Sequence, residues 1–485
     1  MARVLGGAAA ARDATLPAAR RDRRVLAAIV VAGAAVYSAL SLLKMADFRA
    51  SAYDLVIFDQ IVRSYSRFQP PISPTLGVHS DLGPSFVAFG DHWSPILATL
   101  APLYWIADDP RTLLVAQAVL LACSAIPLWV FTRRALGVAA AHLIAVAYLL
   151  SWPVVEAVAF DFHEAAFAPL LTAVMLERWQ AGRRVAMVLA AAGLLCVKED
   201  MGLLVAGFGV VLLVHRGWRV MGAAFVAGGL AFTWLATQVL IPLFGGRPDS
   251  DVAYGALGGS VPGIVKTAVT DPLKVLAQLG TPPVKLGTLA LLLGVTLLAA
   301  LASPLLLAAV PLLAERLLAS AFGNWWVPEY HYSAFVVVVV FAAGVDGVAR
   351  VCRTEARARW WAAGVLAVAV ASVPFFSLAT LADPETYRRD ARERAAAAAV
   401  AVVPDGVTVE AANNLAPALS SRTTVLLWDR TPRGAPWVVA EVGRRVFPFR
   451  TEAEQRDRVA ALQAAGYRVR YSAGGYVVLA RAPAR

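Results

Sequence analysis

Apolar and polar positions fall along this chain in long blocks. Runs near 25–43, 112–132, 137–155, 165–180, 184–197, 200–215, 219–243, 285–302, 304–320, 333–349 and 358–381 are almost wholly apolar. A bilayer core is crossed by about 20 such residues, so the pattern predicts about 11 transmembrane helices, several of them short. One further stretch, "HWSPILATLAPLYWIADDP" at 92–110, is apolar but short and flanked by acids. Its Trp93, Tyr104 and Trp105 suit the headgroup level, which predicts an interfacial or re-entrant helix. Beyond Asp383 the pattern changes. "VTVEAANNLAPALS", "TTVLLWD", "WVVAEV" and "YRVRYSAGGYVVLAR" carry β-formers between turn residues, with the helical "TEAEQRDRVAALQAAG" before the last. Residues 383–485 are therefore read as a small soluble α/β domain.

Charge sets the orientation. The clusters "RRDRR" at 20–24, "RR" at 133–134, "ERWQAGRR" at 177–184, "HRGWR" at 215–219 and "RVCRTEARAR" at 350–359 all fall on one side if the N-terminus is cytoplasmic. Residues 1–24 then form a cytoplasmic tail and 25–382 the transmembrane domain. The first outer loop, 44–92, and the C-terminal domain lie outside. The polar start of the chain has no signal-peptide pattern, and the run from Val25 is read as a retained helix. With 59% hydrophobic and 16% charged residues, the composition agrees with a multi-pass membrane protein. The net charge of +11 is explained by topology, so no nucleic-acid partner is expected. Three cysteines without a recognisable spacing exclude a disulfide framework.

On that orientation the ionisable groups at the helix boundaries share the outer face. In "YDLVIFDQ", Asp54 and Asp59 are five residues apart, so on a helix they point about 140° apart. Either is a candidate site acid; the alternatives are a cap at Asp54 and a solvated Asp59. "FGDHWSP" places Asp91 and His92 at the start of the interfacial segment, where Asp91 also suits a helix cap. "FDFHE" puts Asp161, His163 and Glu164 between two apolar runs. Asp161 suits a cap for the following helix, but two acids and an imidazole exceed what capping needs, and ionisable groups at a membrane boundary are functional candidates. "CVKED" adds Lys198, Glu199 and Asp200, with Lys198 suited either to a phosphate or to lipid headgroups. "NWWVPEYHY" adds Glu329 and His331 beside aromatics that an interface belt also explains. No zinc spacing is present. The sequence identifies no cofactor; an oxygen-ligated divalent cation, Mg or Mn, partly held by substrate phosphate is the metal chemistry these donors admit.

The order of "YDLVIFDQ", "DHWSPILATLAPLYWIADDP", "FDFHE", "VKED" and "PEYHY" resembles a bacterial family of predicted multi-pass membrane proteins of unknown function. That family is distantly similar to the GT-C glycosyltransferases, which use polyprenyl-phosphate-linked sugars. The resemblance implies a GT-C-like polytopic α-helical fold in the bacterial plasma membrane with an extracytoplasmic C-terminal domain. It also implies transfer of a sugar from a polyprenyl-phosphate donor to a cell-envelope glycan, lipid or protein. Asp54 best matches the acid that GT-C enzymes carry in the first outer loop, with Asp59 second. On that resemblance Asp54 is the base, and Lys198 and His163 meet the lipid phosphate. Glu164 or Asp161 orients His163. This chain carries "YDLVIF" where many GT-C members have an acidic pair. The competing reading is a transporter or flippase for a lipid-linked saccharide, which also needs ionisable groups in a helical bundle.

Overall fold

The computed structural model describes residues 19–246, 250–352 and 354–481. Residues 1–18 of the predicted tail, 247–249, Arg353 of the last basic cluster and 482–485 lie outside the described residues. Among the described residues, six helices are long and apolar enough to cross a membrane: Arg20–Ala46, Arg111–Leu136, Val138–Phe160, Arg219–Leu243, His331–Val351 and Glu355–Phe375. The pair Pro272–Gly280 and Val284–Gly294, bent by 66°, makes up to seven. The apolar runs at 165–180, 184–197 and 200–215 fold as the shorter helices Phe167–Gln180, Arg184–Leu195 and Met201–Leu213. At 1.5 Å per residue these rise only about 18–21 Å. Hydropathy counts apolar residues and does not register where a helix stops.

Two predicted straight spans, 285–302 and 304–320, are broken instead. Leu297 and Leu298 both have positive φ, and Ser303 before Pro304 is extended, so the chain passes through the short helical turns Ala299–Ala302 and Pro304–Ala308 before Val310–Leu318. The residue before a proline disfavours the helical region, which accounts for the second break. The 92–110 stretch becomes the short helix Pro95–Tyr104, 3₁₀ over Pro95–Leu100 and α over Ala101–Tyr104, about 18 Å long and well short of a bilayer core.

Burial ranks the helices. The apolar window of His331–Val351 is 78% buried and that of Glu355–Phe375 only 22%, so the former runs through the bundle centre and the latter presents Trp360 and Val370 outward. In lipid every backbone amide must be satisfied within the segment, which makes a helix of the β-branched run "AFVVVVVFAAG". Helices Met201–Leu213 and Arg219–Leu235 approach through glycine. A Cβ on Gly202 would lie 2.3 Å from the Gly229 carbonyl oxygen, and one on Gly209 would lie 2.8 Å from that of Gly222. Small residues at such positions let two helices pack backbone to backbone. The Thr233 hydroxyl of the second helix donates to the Glu199 carbonyl at 3.0 Å and ties the Lys198–Asp200 turn to it.

The C-terminal part holds a five-stranded sheet: β1 (Thr408–Ala411), β2 (Thr424–Leu427), β3 (Trp437–Glu441), β4 (Tyr467–Ala473) and β5 (Tyr476–Arg481), in the order β2-β1-β3-β5-β4. β1 pairs in parallel with β2 and β3, whereas β3–β5 and β4–β5 are antiparallel, and helix Glu452–Ala464 precedes β4. The domain is not tethered by a linker alone. Phe48, Ala52 and Val56 of the first loop enter its apolar core. Gln60 Nε2 and Thr75 Oγ1 donate to the Val425 carbonyl, and His79 and Asp81 meet Asp429 and Arg433.

Candidate active site

The polar cluster forms where several helix ends meet that loop. Asp54 lies in the wide helical turn Ala52–Val56, which leads into Ile57–Ser66. Asn413 of the C-terminal domain anchors this turn: its side-chain oxygen accepts the Ala52 and Tyr53 amides at 3.0 and 3.1 Å, and its carbonyl accepts Ala52 N at 2.7 Å. The Asp54 carboxyl itself has no hydrogen bond or ion pair among the described residues. Burial, and then the charges of Asp161 and Glu164, push it well above the usual carboxylate range, with Lys44 and His92 opposing.

Asp161 does not cap the following helix, contrary to the sequence expectation. It sits after helix Val138–Phe160 with φ 142°, a region that costs a non-glycine residue on the order of 1–3 kcal/mol. Three contacts hold it there. Lys44 Nζ lies 2.9 Å from Oδ1, the Ser51 amide donates to Oδ2 at 3.0 Å, and Gln117 Nε2 donates to its carbonyl at 2.5 Å. Lys44 also donates to the Ala159 and Phe160 carbonyls, closing the end of that helix. The cap is His163, whose Nδ1 accepts the Ala165 amide at 3.3 Å. Glu164 Oε2 stands 2.8 Å from the same nitrogen. Burial, and then the Lys198 charge, lower the His163 imidazole, and burial raises the Glu164 carboxyl. Both shifts favour the uncharged forms, and neither Glu164 carboxyl oxygen has a hydrogen-bond partner among the described residues. Glu164, not Asp161, is the acid that lies beside His163. His331 stacks on His163 with ring centroids 3.7 Å apart, and neither of its ring nitrogens has a hydrogen-bond partner among the described residues.

Lys198 enters from the turn between Arg184–Leu195 and Met201–Leu213. It is 8% exposed, and its ammonium has no hydrogen bond or ion pair among the described residues. Burial opposes its charge, but Glu199, Asp200 and Glu164 hold it protonated. Asp200 keeps one buried, unpartnered oxygen. Glu199 is engaged with His92 Nδ1 at 2.9 Å and the Trp93 amide at 3.1 Å, so it fastens the interfacial segment to this turn. Burial and Lys198 lower the His92 imidazole, yet Glu199 and Asp91 raise it to about 10 overall. His92 and Lys198 likewise hold Glu199 below its usual range against the effect of burial.

Three predicted residues stand apart. Asp91 makes no cap; its side chain is 45% exposed and 3.8 Å from His92 Nε2, because Ser94 and Pro95 begin the following turn. Glu329 is exposed and acts on the site only through its charge beside Glu156, whose carboxylate receives the Ser377 amide and hydroxyl. Asp59 is neither solvated nor open to a substrate. It is 0% exposed and takes four donors: Arg63 Nη1 and Nη2 at 2.6 and 2.9 Å, the Tyr104 hydroxyl at 2.7 Å, and the Ser420 hydroxyl. Asp59 thus ties the loop helix, the interfacial helix and the C-terminal domain together. Sequence reasoning missed Lys44, Gln117, Asn413 and Ser420. Lys44 left a signal, as a basic residue at the end of the first helix opposite "RRDRR"; the others are ordinary polar residues with none.

Among the described residues no three of His, Cys, Asp and Glu converge as a metal-binding group. A Mg or Mn ion at this cluster would take most of its ligands from substrate phosphate and water.

The fold is similar to that of ArnT from Cupriavidus metallidurans, solved bound to undecaprenyl phosphate. The two share a TM-score of 0.51 over 96% of this chain and 99% of that one, at 13% sequence identity, a level that speaks for fold alone. No curated protein matches the sequence. The pattern of the predicted membrane protein family DUF2079 matches residues 44–478, a span that takes in the whole polar cluster, and the chain belongs to that family.

Proposed function

We propose that this protein is a membrane glycosyltransferase that moves a sugar from a polyprenyl-phosphate donor to a cell-envelope acceptor on the outer face of the bacterial plasma membrane. One observation carries the reading: an uncommitted carboxyl, Asp54, and an uncommitted ammonium, Lys198, belong to one buried electrostatic cluster in which most other charges are paired. The residue resemblance to GT-C enzymes and the fold shared with a protein that holds undecaprenyl phosphate support it.

Asp54 accepts the proton of the acceptor hydroxyl as its oxygen attacks the sugar C1. The bond from C1 to the phosphate oxygen breaks, and the lipid phosphate leaves with the electron pair. Lys198 offsets the charge that develops on it. A carboxyl raised by burial and neighbouring acids is a stronger base once it is ionised. His163 is enclosed against Phe58 and His331, so its part is to shape the wall beside Lys198. The outward placement rests on the helix ends. Arg134 and Arg178 both pair with Glu177, and Arg184 meets the Gly217 carbonyl, at the ends opposite Lys44, Asp161, Lys198 and His331.

The test is transfer of radiolabelled sugar from polyprenyl-phosphate donors to envelope acceptors by the purified protein. Asp54→Asn and Lys198→Ala should lose transfer while inserting and melting as the wild type does. Full activity in Asp54→Asn would remove the base, and movement of the lipid-linked sugar across proteoliposomes without transfer would replace the reading with a flippase.

A further inference from the structure

A second polar site lies at the seam between the first loop and the C-terminal domain. Arg49, just beyond the first helix, faces Asn413, Asn414, Arg444, Arg445 and Phe447 across a pocket of about 280 Å³. We propose that this pocket binds a phosphosugar, with the phosphate on the Arg49 and Arg445 guanidinium groups and a sugar hydroxyl on the Asn414 amide, whose side chain turns outward from its solvent-sealed position to meet it.

Asn414 is only 8% exposed, yet neither its Oδ1 nor its Nδ2 has a partner among the described residues. A buried amide is normally satisfied, and a hydroxyl, which both donates and accepts, can meet either half of it. The basic side is in part uncommitted. Arg444 Nε is held by Glu441 at 2.9 Å, and Arg392 reaches the same oxygen at 2.8 Å, so the Glu441 charge is already matched. Among the described residues Arg445 reaches only the Phe449 carbonyl, at 3.5 Å. The Arg49 guanidinium has no hydrogen bond or ion pair among the described residues, and Asp47 is the carboxylate in its field. Planar guanidinium groups suit a phosphate, and the exposed Phe447 offers an apolar face to a ring. The volume is close to the lower end of ligand pockets, roughly 300–1,000 Å³. The floor is Asn413, which also holds the amides of Ala52 and Tyr53, so the pocket adjoins the turn that carries Asp54. Binding here does not depend on the transfer reading.

Full-length protein in phosphatidylcholine nanodiscs would be titrated calorimetrically with glucose 1-phosphate, glucose and inorganic phosphate. The expected result is saturable binding of glucose 1-phosphate, at least about tenfold tighter than either fragment, and weakened about tenfold or more by Arg445→Gln and by Asn414→Leu. Arg445 is exposed, so its variant keeps the test valid if Asn414→Leu fails to fold. No saturable binding, affinity unchanged in the variants, or inorganic phosphate binding as tightly as the conjugate would overturn the proposal. A parallel titration with phosphatidylinositol in the nanodisc assigns the source. Suppressed binding of the soluble probe identifies a lipid headgroup, and unchanged binding identifies a ligand from solution.

Discussion

Replacing Asp59 with alanine separates a structural acid from a catalytic one. The carboxylate is fully buried and receives four donors, two of them from Arg63, from the loop helix, the interfacial helix and the C-terminal domain. Removing one partner of a buried ion pair costs about 3–5 kcal/mol, because the remaining charge is left uncompensated. Arg63 keeps its 2.6 Å bond to the partly exposed Asp108, which places the expected loss near the lower end, about 3 kcal/mol. At 1.4 kcal/mol per factor of ten, the C-terminal domain should open roughly 100-fold more often. Limited proteolysis under conditions where reclosing outpaces cleavage reads that population directly. Ser420→Ala should give a smaller increase, since Asp59 keeps three donors, and the double variant should fall short of additivity. Asp59→Ala with wild-type proteolytic resistance and melting, but no transfer activity, would refute the clamp and return Asp59 to the chemistry.

Lys44→Met should cost about 3–5 kcal/mol, because it strands the buried Asp161 and two carbonyls; adding Asp161→Asn should restore part of the melting temperature, and no restoration would argue against the pair. Gly202→Ala should destabilise by at least about 1–3 kcal/mol, since its Cβ would meet the Gly229 carbonyl and the Thr233 hydroxyl that holds the Glu199 carbonyl, and an unshifted melt would contradict the close helix contact. His92 is raised from about 6.5 to about 10 on folding, so its stabilisation is complete below about pH 6.5 and fades as the pH rises through about 10. The melting deficit of His92→Gln should therefore be present at about pH 6 and vanish near 10.5. A deficit independent of pH would show that His92 acts by packing alone.

Much of the architecture was legible in the sequence. Bilayer solvation demands long apolar runs, and "RRDRR" at one end of the first run and acids beyond the other were enough to group the candidate residues on one side. The α/β character of the C-terminal domain followed from β-formers between turn signals, and the strands fall within the segments that "VTVEAANN", "TTVLLWD", "WVVAEV" and "YRVRYSAGGYVVLAR" mark. Only the tertiary structure decided which helices reach full length. It also decided that Leu297, Leu298 and Pro304 break two apparent spans. The same holds for the division of labour among the acids. Asp54 and Asp59 look alike in "YDLVIFDQ", five residues apart on one short helical stretch. One meets Arg63, Tyr104 and Ser420, a residue 361 positions away, and the other meets no donor among the described residues. Periodicity carries the direction in which a side chain points, because that is a local property of the backbone. Whether a partner waits there depends on which distant segments pack against it, and that is set only when the helices and the C-terminal domain close on the first loop.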